Sequence, residues 1–269
     1  MMDSFAVKTY RYLRISMIAV IVMLIASVII EWVNTKSGCL QGSISAYYYT
    51  PVQSIFVGAL ITIGVCMIAL RGTTDWEDTL MNLGGMLAPV VALVPTPGPG
   101  GCRSVGEALS AAPENIQNNV LALFVAGIIA LVAGAFTLRG QDATPPTTAQ
   151  RLGMIAAVVI FLGGVGWFVL DRAAFDRNAH YTAAITLFAC IVVVVILNSR
   201  RQAEEQPGER KWAPGYLVIA ALMVASSVVI VAITLITGWE HGILVVEAAL
   251  IILFAIFWAY QTKERWNAS

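Results

Sequence analysis

The sequence predicts an all-α protein, a polytopic membrane bundle of about eight transmembrane helices with both termini in the cytoplasm. Three observations lead to this prediction. Hydrophobic residues make up 58% of the 269 residues, charged residues make up only 12%, and the mean hydropathy is +0.79, which is more apolar than a soluble domain requires. Apolar runs recur at lengths near the roughly 20 residues that a helix needs to cross a bilayer. Basic residues are concentrated in alternate connecting loops.

The apolar runs are separated by short charged or Pro/Gly-rich pieces and form a single transmembrane domain over residues 1–269. The third run is short and contains Gly84, Gly85 and Pro89. This composition is typical of a kinked membrane helix, and a discontinuous helix of the kind found in transporters is the alternative. We expect helices over residues 13–33, 51–70, 79–95, 117–138, 152–170, 180–198, 215–237 and 242–260.

The orientation follows from the basic residues, because loops rich in Lys and Arg are retained in the cytoplasm. With the N-terminus inside, only Lys36, Arg103, Arg172 and Arg177 lie outside, and the Trp and Tyr residues fall near the two membrane boundaries. The predicted location is therefore the inner (plasma) membrane of the cell. The remaining basic residues lie on the cytoplasmic side: Lys8, Arg11, Arg14, Arg71, Arg139, Arg151, Arg200, Arg201, Arg210, Lys211, Lys263 and Arg265.

The four cysteines divide into two pairs on this map. Cys66 and Cys190 fall within helices, where they are expected to pack as small apolar residues. Cys39 and Cys102 fall in the first and second outer loops, on the oxidising side of the membrane. We therefore predict a Cys39–Cys102 disulfide.

The most distinctive stretch is Gly42 to Gly58, with the sequence GSISAYYYTPVQSIFVG. Thr50 can cap the second helix, and Pro51 suits its first turn. The preceding residues are expected to form an ordered segment at the outer surface, with at least one tyrosine directed at neighbouring helices and the others at the interface. We expect this segment to provide a surface for a lipid or a protein partner, formed by Ser43, Ser45, Tyr47, Tyr48 and Tyr49.

A second group of polar residues maps to the outer ends of later helices. His180 and His241 begin the sixth and eighth helices, and Glu247 lies six residues inside the eighth. The three residues are candidates for a catalytic or zinc site, which requires three or four ligands around the ion. The alternative is structural, with the histidines at headgroup level and Glu247 bonded to a neighbouring helix. Apart from this zinc, we predict no cofactor.

The function that we expect from the sequence is that of a non-enzymatic accessory or scaffold subunit in an envelope or lipid-handling membrane complex. Short loops, close-packing small residues and an incomplete catalytic set favour it. The alternatives are an outward-facing metal-dependent hydrolase or lipid-modifying enzyme and a transporter of small molecules or lipids, so the sequence leaves open whether the protein is an enzyme. The expected partners are membrane lipids and a membrane protein. The mixed charges of residues 199–214 do not favour nucleic acid.

Four segments resemble an uncharacterised family of bacterial multi-pass membrane proteins. They are SISAYYYT with the following FVG, NLGGMLAP through VPT, HYTAA, and the region from Glu247 to FWAYQTKE. The resemblance implies an architecture and no particular reaction. The pattern is also faintly similar to the superfamily of alkaline ceramidases and progestin-receptor-like proteins, whose hallmarks include a Ser followed four residues later by His and a late HxxxH that binds zinc. Here Ser43 and Ser45 have no such histidine, and Val245 stands where His241 would need its partner.

Overall fold

The computed structural model of the chain describes residues 4–35, 39–97, 106–139, 145–205 and 213–266. Within these ranges the regular structure is entirely helical, which confirms the all-α fold class. Every helix expected from the sequence is present. The α-helices are α1 Ser4–Asn34, α2 Gln53–Ala69, α3 Asp75–Leu93, α4 Gly106–Arg139, α5 Thr148–Leu170, α6 Arg172–Glu205, α7 Pro214–Thr237 and α8 Gly242–Arg265, and a short 3-10 helix covers Ser45–Tyr49.

Six of these helices, α1 and α4 to α8, are long and apolar enough to cross a membrane. The chain is therefore a multi-pass membrane protein. Helix α2 is apolar but has only 17 residues, and α3 carries three acidic residues in its first turn. That all eight helices cross, and that both termini are cytoplasmic, remain predictions.

Several helices begin at residues that differ from the starts predicted from the apolar runs. Helix α6 starts at Arg172, directly after Asp171, so that most of the expected loop before residue 180 is helical. The side chain of Asp171 accepts a hydrogen bond from the amide of Ala174 at 2.9 Å, and Arg172 pairs with Asp176 at 2.8 Å one turn later. Such pairs stabilise a helix without contributing hydropathy, and hydropathy alone therefore underestimates its length.

The start of α2 also differs from the prediction. Its N-cap is Val52, which makes no side-chain cap, and the helix begins at Gln53. Thr50 instead accepts a hydrogen bond from the amide of Val52 at 3.2 Å and donates one to the carbonyl of Tyr47 at 2.7 Å. Thr50 thus closes the turn that precedes the helix and does not cap the helix itself.

Helix α3 is continuous despite its two glycines and Pro89, so it is not the discontinuous helix offered as an alternative. The glycines serve close packing. A Cβ atom on Gly64 of α2 would lie 2.7 Å from the carbonyl oxygen of Gly85, and one on Gly85 would lie 2.7 Å from that of Gly64. Since this is shorter than van der Waals contact allows, the two helices approach as closely as they do because both positions lack a side chain.

The main hydrophobic core is formed by α1, α2, α3, α6, α7 and α8 around residues such as Met17, Met67, Leu187, Met223 and Trp258. Helices α4 and α5 lie at its side and form a hairpin. They join the bundle through a separate aromatic cluster that contains Val120, Phe168 and Phe175, and through Thr79 of α3, whose hydroxyl donates to the carbonyl of Ala149 in α5 at 3.2 Å. In α4, 6% of the most apolar 18-residue stretch is buried inside the protein, and in α5 the corresponding share is 0%. The hairpin is therefore the peripheral part of the molecule.

Candidate functional site

Residues 42–50, which we call the tyrosine segment, lie at the end of the bundle where α1 ends and α2 begins. We call this the outer end, after the predicted orientation. The segment is a 3-10 helix at its centre and not extended. All three tyrosines are buried, with exposed fractions of 1% for Tyr47, 2% for Tyr48 and 3% for Tyr49.

The predicted surface is therefore in the interior of the described chain. Ser43 and Ser45 are buried as well, and the tyrosines pack on apolar residues of α1, α2 and α8. In a 3-10 helix, three consecutive side chains point in three directions about the axis. A segment that is packed between helices buries all three. Burial also raises the pKa of Tyr47 and Tyr48 above the ordinary value, because the phenolate would lose its hydration.

The carboxylate of Glu247 holds the start of the tyrosine segment. It accepts hydrogen bonds from the amide of Ile44 at 2.5 Å, the amide of Ser45 at 3.3 Å and the hydroxyl of Ser45 at 3.0 Å. Amides at the start of a helix have no partner within it, so a carboxylate placed there acts as a cap. This contact explains how an acid in the second turn of an apolar helix is compensated.

Further bonds fix the tyrosine segment to the rest of the outer end. The amide of Leu244 in α8 donates to the carbonyl of Gly42 at 2.9 Å. The hydroxyl of Tyr49 donates to the carbonyl of Thr96, just after α3, at 2.8 Å. The segment is thus bonded to both α8 and the end of α3.

The two histidines have separate surroundings. His180 has an exposed fraction of 1%, and its Nδ1 lies 2.8 Å from the carbonyl oxygen of Val94. Because a carbonyl only accepts, Nδ1 carries the proton in this contact, and His180 binds the end of α3 to α6. His241 is the N-cap residue of α8 and is half-buried, and its Nδ1 is buried without a hydrogen-bond partner.

The predicted metal or catalytic set is not assembled. In the part of the chain that the structure describes, no group of three or more His, Cys, Asp or Glu side chains could hold a metal ion. Glu247 is engaged by the tyrosine segment and His180 by the carbonyl of Val94. Glu247 thus has a structural role, as in the alternative that the sequence offered, whereas His180, which that alternative placed at headgroup level, is buried inside the bundle.

A second polar cluster lies at the opposite, inner end and was not expected from the sequence. We call it the inner polar network, and its centre is Glu77 of α3, with an exposed fraction of 2%. The carboxylate accepts bonds from Asn198 at 2.9 Å, from Gln261 at 2.9 Å, from the amide of Thr73 at 2.8 Å and from the hydroxyl of Thr73. It is a fully bonded buried anion.

The matching positive charge is Arg14 of α1, which is also buried. Its guanidinium donates to the amide oxygen of Gln261 at 2.9 Å and to the hydroxyl of Tyr10. It lies against the rings of Tyr10 and Trp258, at 4.5 Å and 4.8 Å from their centroids, where cation–π attraction is favourable. Gln261 thus bridges Arg14 and Glu77, and the network carries no net charge at its centre.

The network continues toward α7. Arg201 pairs with Glu264 at 2.8 Å and with Glu205 at 2.7 Å. The hydroxyl of Tyr216 donates to the other oxygen of Glu264. Five helices, α1, α3, α6, α7 and α8, are therefore joined through polar side chains at the inner end.

Comparison with known proteins gives no relative. No protein-family model matches the chain, and no curated protein or solved structure is significantly similar to it. The resemblances drawn from the sequence therefore remain expectations, and the function is argued from the geometry alone.

The inner polar network was missed because each member has an ordinary explanation when read singly. Arg14 and Arg201 are explained by the rule that basic residues stay on the cytoplasmic side of the membrane, and a polar residue at a helix end is assumed to face water or headgroups. A signal was present in the spacing, since Asn198 with Arg201 and Gln261 with Glu264 are three residues apart and share one helix face.

The structure tests the predictions for two of the four cysteines. Cys66 and Cys190 are free and buried within α2 and α6, as predicted. Cys102 lies outside the described residues, so the Cys39–Cys102 disulfide stays a prediction.

Proposed function

We propose that the chain is a non-enzymatic membrane subunit that binds a helix of another membrane protein along α5. The observation that carries the proposal is a face of α5 that the chain itself leaves unpacked. This face, the α5 stripe, consists of residues at helical spacing: Ile155, Val159, Leu162, Gly163 and Gly166.

The glycines distinguish the α5 stripe from an ordinary lipid-facing surface. A Cβ atom added at Gly163 or Gly166 would meet nothing within 4 Å. By contrast, Gly127 and Gly134 of α4 contact Phe161 and Met154 of α5. The small residues of α4 are thus used within the chain, and those of the α5 stripe are available for another helix.

Helix association in a bilayer depends on close van der Waals packing, because lipid tails are as apolar as the side chains they replace. Val159 and Leu162, with exposed fractions of 63% and 60%, precede Gly163 and Gly166 on this face, so the helix surface is recessed directly after two bulky side chains. The matching partner is an apolar transmembrane helix that presents a ridge of its own. The polar groups at both ends of the bundle are consistent with a structural role, since they bond helices to one another.

The test is Gly163→Leu in the full chain, expressed in its native membrane. We expect the variant to fold normally, because the position is open and Leu favours helix over Gly, and to lose its partner. The matched control is Gly58→Leu, since Gly58 is also exposed, helical and without neighbours within 4 Å. A photo-crosslinking residue at Leu162 reports the contact, and one at Val228 of α7 serves as the background site.

The proposal requires that one membrane protein be crosslinked from Leu162 and not from Val228, and that it co-purify stoichiometrically in mild detergent. It also requires that Gly163→Leu abolish both results while Gly58→Leu retains them. Purification of the wild-type chain as a lone monomer, or a complex unaffected by Gly163→Leu, would contradict it.

A further inference from the structure

Three basic residues lie where the inner ends of α1 and α8 meet. The Nη2 of Arg11 in α1 donates a hydrogen bond to the carbonyl of Trp266, directly after α8, at 2.6 Å. The guanidinium carbon also lies 4.7 Å from the centroid of the Trp266 ring. Lys8 precedes Arg11 by three residues and Lys263 precedes Trp266 by three residues, so each lysine shares a helix face with one member of this contact. We call Lys8, Arg11 and Lys263 the basic seam.

The positive charges of the basic seam have no acidic partner in the part of the chain that the structure describes. The ion pairs there involve other arginines, and Glu264, which follows Lys263 directly, is bonded to Arg201. Lys8 and Lys263 are exposed. The ammonium of Lys8 lies 5.6 Å from the centroid of the Tyr12 ring, a contact that leaves its charge uncompensated. The inner ends of α1 and α8 therefore present uncompensated cations on adjoining helices.

The basic seam lies at the edge of the surface that faces the bilayer. Both α1 and α8 are long and apolar enough to cross the membrane. The exposed large aliphatic side chains begin at Ile15 in α1 and end at Ile256 in α8, with exposed fractions of 45% and 48%. The two lysines lie seven residues beyond these positions, which is about 10 Å along each helix axis. Tyr12 and Trp266 beside them are also exposed, as expected of aromatic residues at headgroup level.

An anionic phosphate is the group that complements these cations at this depth. Basic residues next to a membrane-crossing helix attract anionic lipids, and a guanidinium matches the geometry of phosphate oxygens. The bond to Trp266 holds Arg11 in place before a ligand arrives, which reduces the entropy cost of binding. A soluble phosphate has the same charge but no apolar part that would keep it at the membrane surface. The chemistry therefore favours a phospholipid headgroup with a net negative charge.

We propose that the basic seam binds the headgroup of an anionic phospholipid, with the phosphate held by Arg11 and the negative charge compensated further by Lys8 and Lys263. The site lies at the inner end of the bundle and involves no residue of the α5 stripe. The proposal is therefore independent of the partner surface on α5, and its test requires no protein partner.

The test measures lipid binding to the purified full chain in mild detergent by native mass spectrometry. Phosphatidylglycerol is the anionic probe, phosphatidylcholine with the same acyl chains is the zwitterionic probe, and glycerol phosphate is the soluble one. Lys8→Gln, Lys263→Gln and the double variant remove charge from exposed side chains, so folding should be retained, and thermal unfolding verifies this. Lys263→Arg keeps the charge. Arg151→Gln, at an exposed position in the first turn of α5, is the matched control.

We expect the wild-type chain to bind phosphatidylglycerol about tenfold more tightly than phosphatidylcholine, or better. Lys8→Gln and Lys263→Gln should each weaken the phosphatidylglycerol complex about fivefold, and the double variant about 25-fold, whereas Lys263→Arg and Arg151→Gln should leave it unchanged. Higher ionic strength should weaken it as well. Three results would each overturn the proposal: equal affinities for the two lipids, a folded double variant that binds phosphatidylglycerol as tightly as the wild type, or displacement of the lipid by an equal concentration of glycerol phosphate.

Discussion

Glu247 and Glu77 illustrate the same solution at opposite ends of the bundle. Each carboxylate is enclosed by donors from segments distant in sequence: Glu247 by Ile44 and Ser45, and Glu77 by Asn198 and Gln261. A carboxyl group removed from water is tolerated when its hydrogen bonds are complete and is costly when they are not. Both residues should therefore contribute strongly to stability.

At Glu247, we predict a graded loss of stability. Glu247→Ala leaves the amides of Ile44 and Ser45 without an acceptor and should lower the free energy of unfolding by about 2 to 3 kcal/mol. Glu247→Gln retains one carbonyl oxygen and should cost less. Thermal unfolding of the purified chain in detergent measures both changes. Glu240→Gln, at an exposed position, should have no effect, and a Glu247→Ala variant as stable as this control would contradict the capping role.

At Glu77, even the isosteric change to Gln should be severe. Three of the four groups around the carboxylate are N–H donors, so a new amide group finds no acceptor except the hydroxyl of Thr73, and Arg14 would remain buried without its compensating charge. We expect a loss of about 3 kcal/mol in the free energy of unfolding. Glu114→Gln, at an exposed position of α4, is the matched control. Equal unfolding temperatures for the two variants would show that the inner polar network does not hold the helices together.

Among the helices, α2 and α3 are in contact because their backbones lie close to each other at two glycines. Gly64 and Gly85 face each other so closely that neither position has room for a methyl group. Helix α3 also runs from the inner polar network, where Glu77 bonds to Asn198, to the outer end, where Val94 bonds to His180. These contacts place α3 alongside α6 over the depth of the bundle.

For this contact we predict that Gly64→Ala destabilises the chain by about 1 to 3 kcal/mol, because the helices must separate to accept the methyl group. Gly58 lies six residues earlier in α2, in open space, and Gly58→Ala should be neutral or slightly stabilising, since Ala favours helix over Gly. Unfolding temperatures of the two variants give the comparison. A Gly64→Ala variant as stable as Gly58→Ala would show that the close approach is not required.

At the scale of the whole molecule, the crossing of α3 decides the topology. If α3 and α4 both cross, residues 71 and 145 lie on the same side of the membrane and residue 177 on the other. We expect a membrane-impermeant maleimide to label Arg177→Cys in intact cells, and to label Arg71→Cys and Pro145→Cys only after permeabilisation. Labelling of Pro145→Cys in intact cells, with Arg71→Cys protected, would show that α3 does not cross.

The disulfide prediction is tested in the same preparation. Alkylation of the denatured chain without reductant should modify two thiols, those of the free cysteines Cys66 and Cys190, and with reductant all four cysteines of the sequence. Cys39→Ser should release the thiol of Cys102 for alkylation without reductant. Four modified thiols in the unreduced wild-type chain would exclude the bond between Cys39 and Cys102.

The order of residues was sufficient to locate the helices. Hydropathy measures the free energy of transferring each residue from water to lipid, which depends on that residue and its neighbours in the chain. The eight helices could therefore be located from residue order, including α3. Their ends were less accurate, as at Arg172, because polar residues continue a helix through local pairs that hydropathy does not record.

The roles of the polar residues, in contrast, depend on how the helices pack. Ile44 and Glu247 are 203 residues apart in sequence, and Gln261 and Glu77 are 184 apart. Their hydrogen bonds exist because helix packing brings them together, and nothing in the local pattern encodes that proximity. For the same reason the tyrosines, which are suited to a membrane interface by composition, are buried once α1, α2 and α8 close around them.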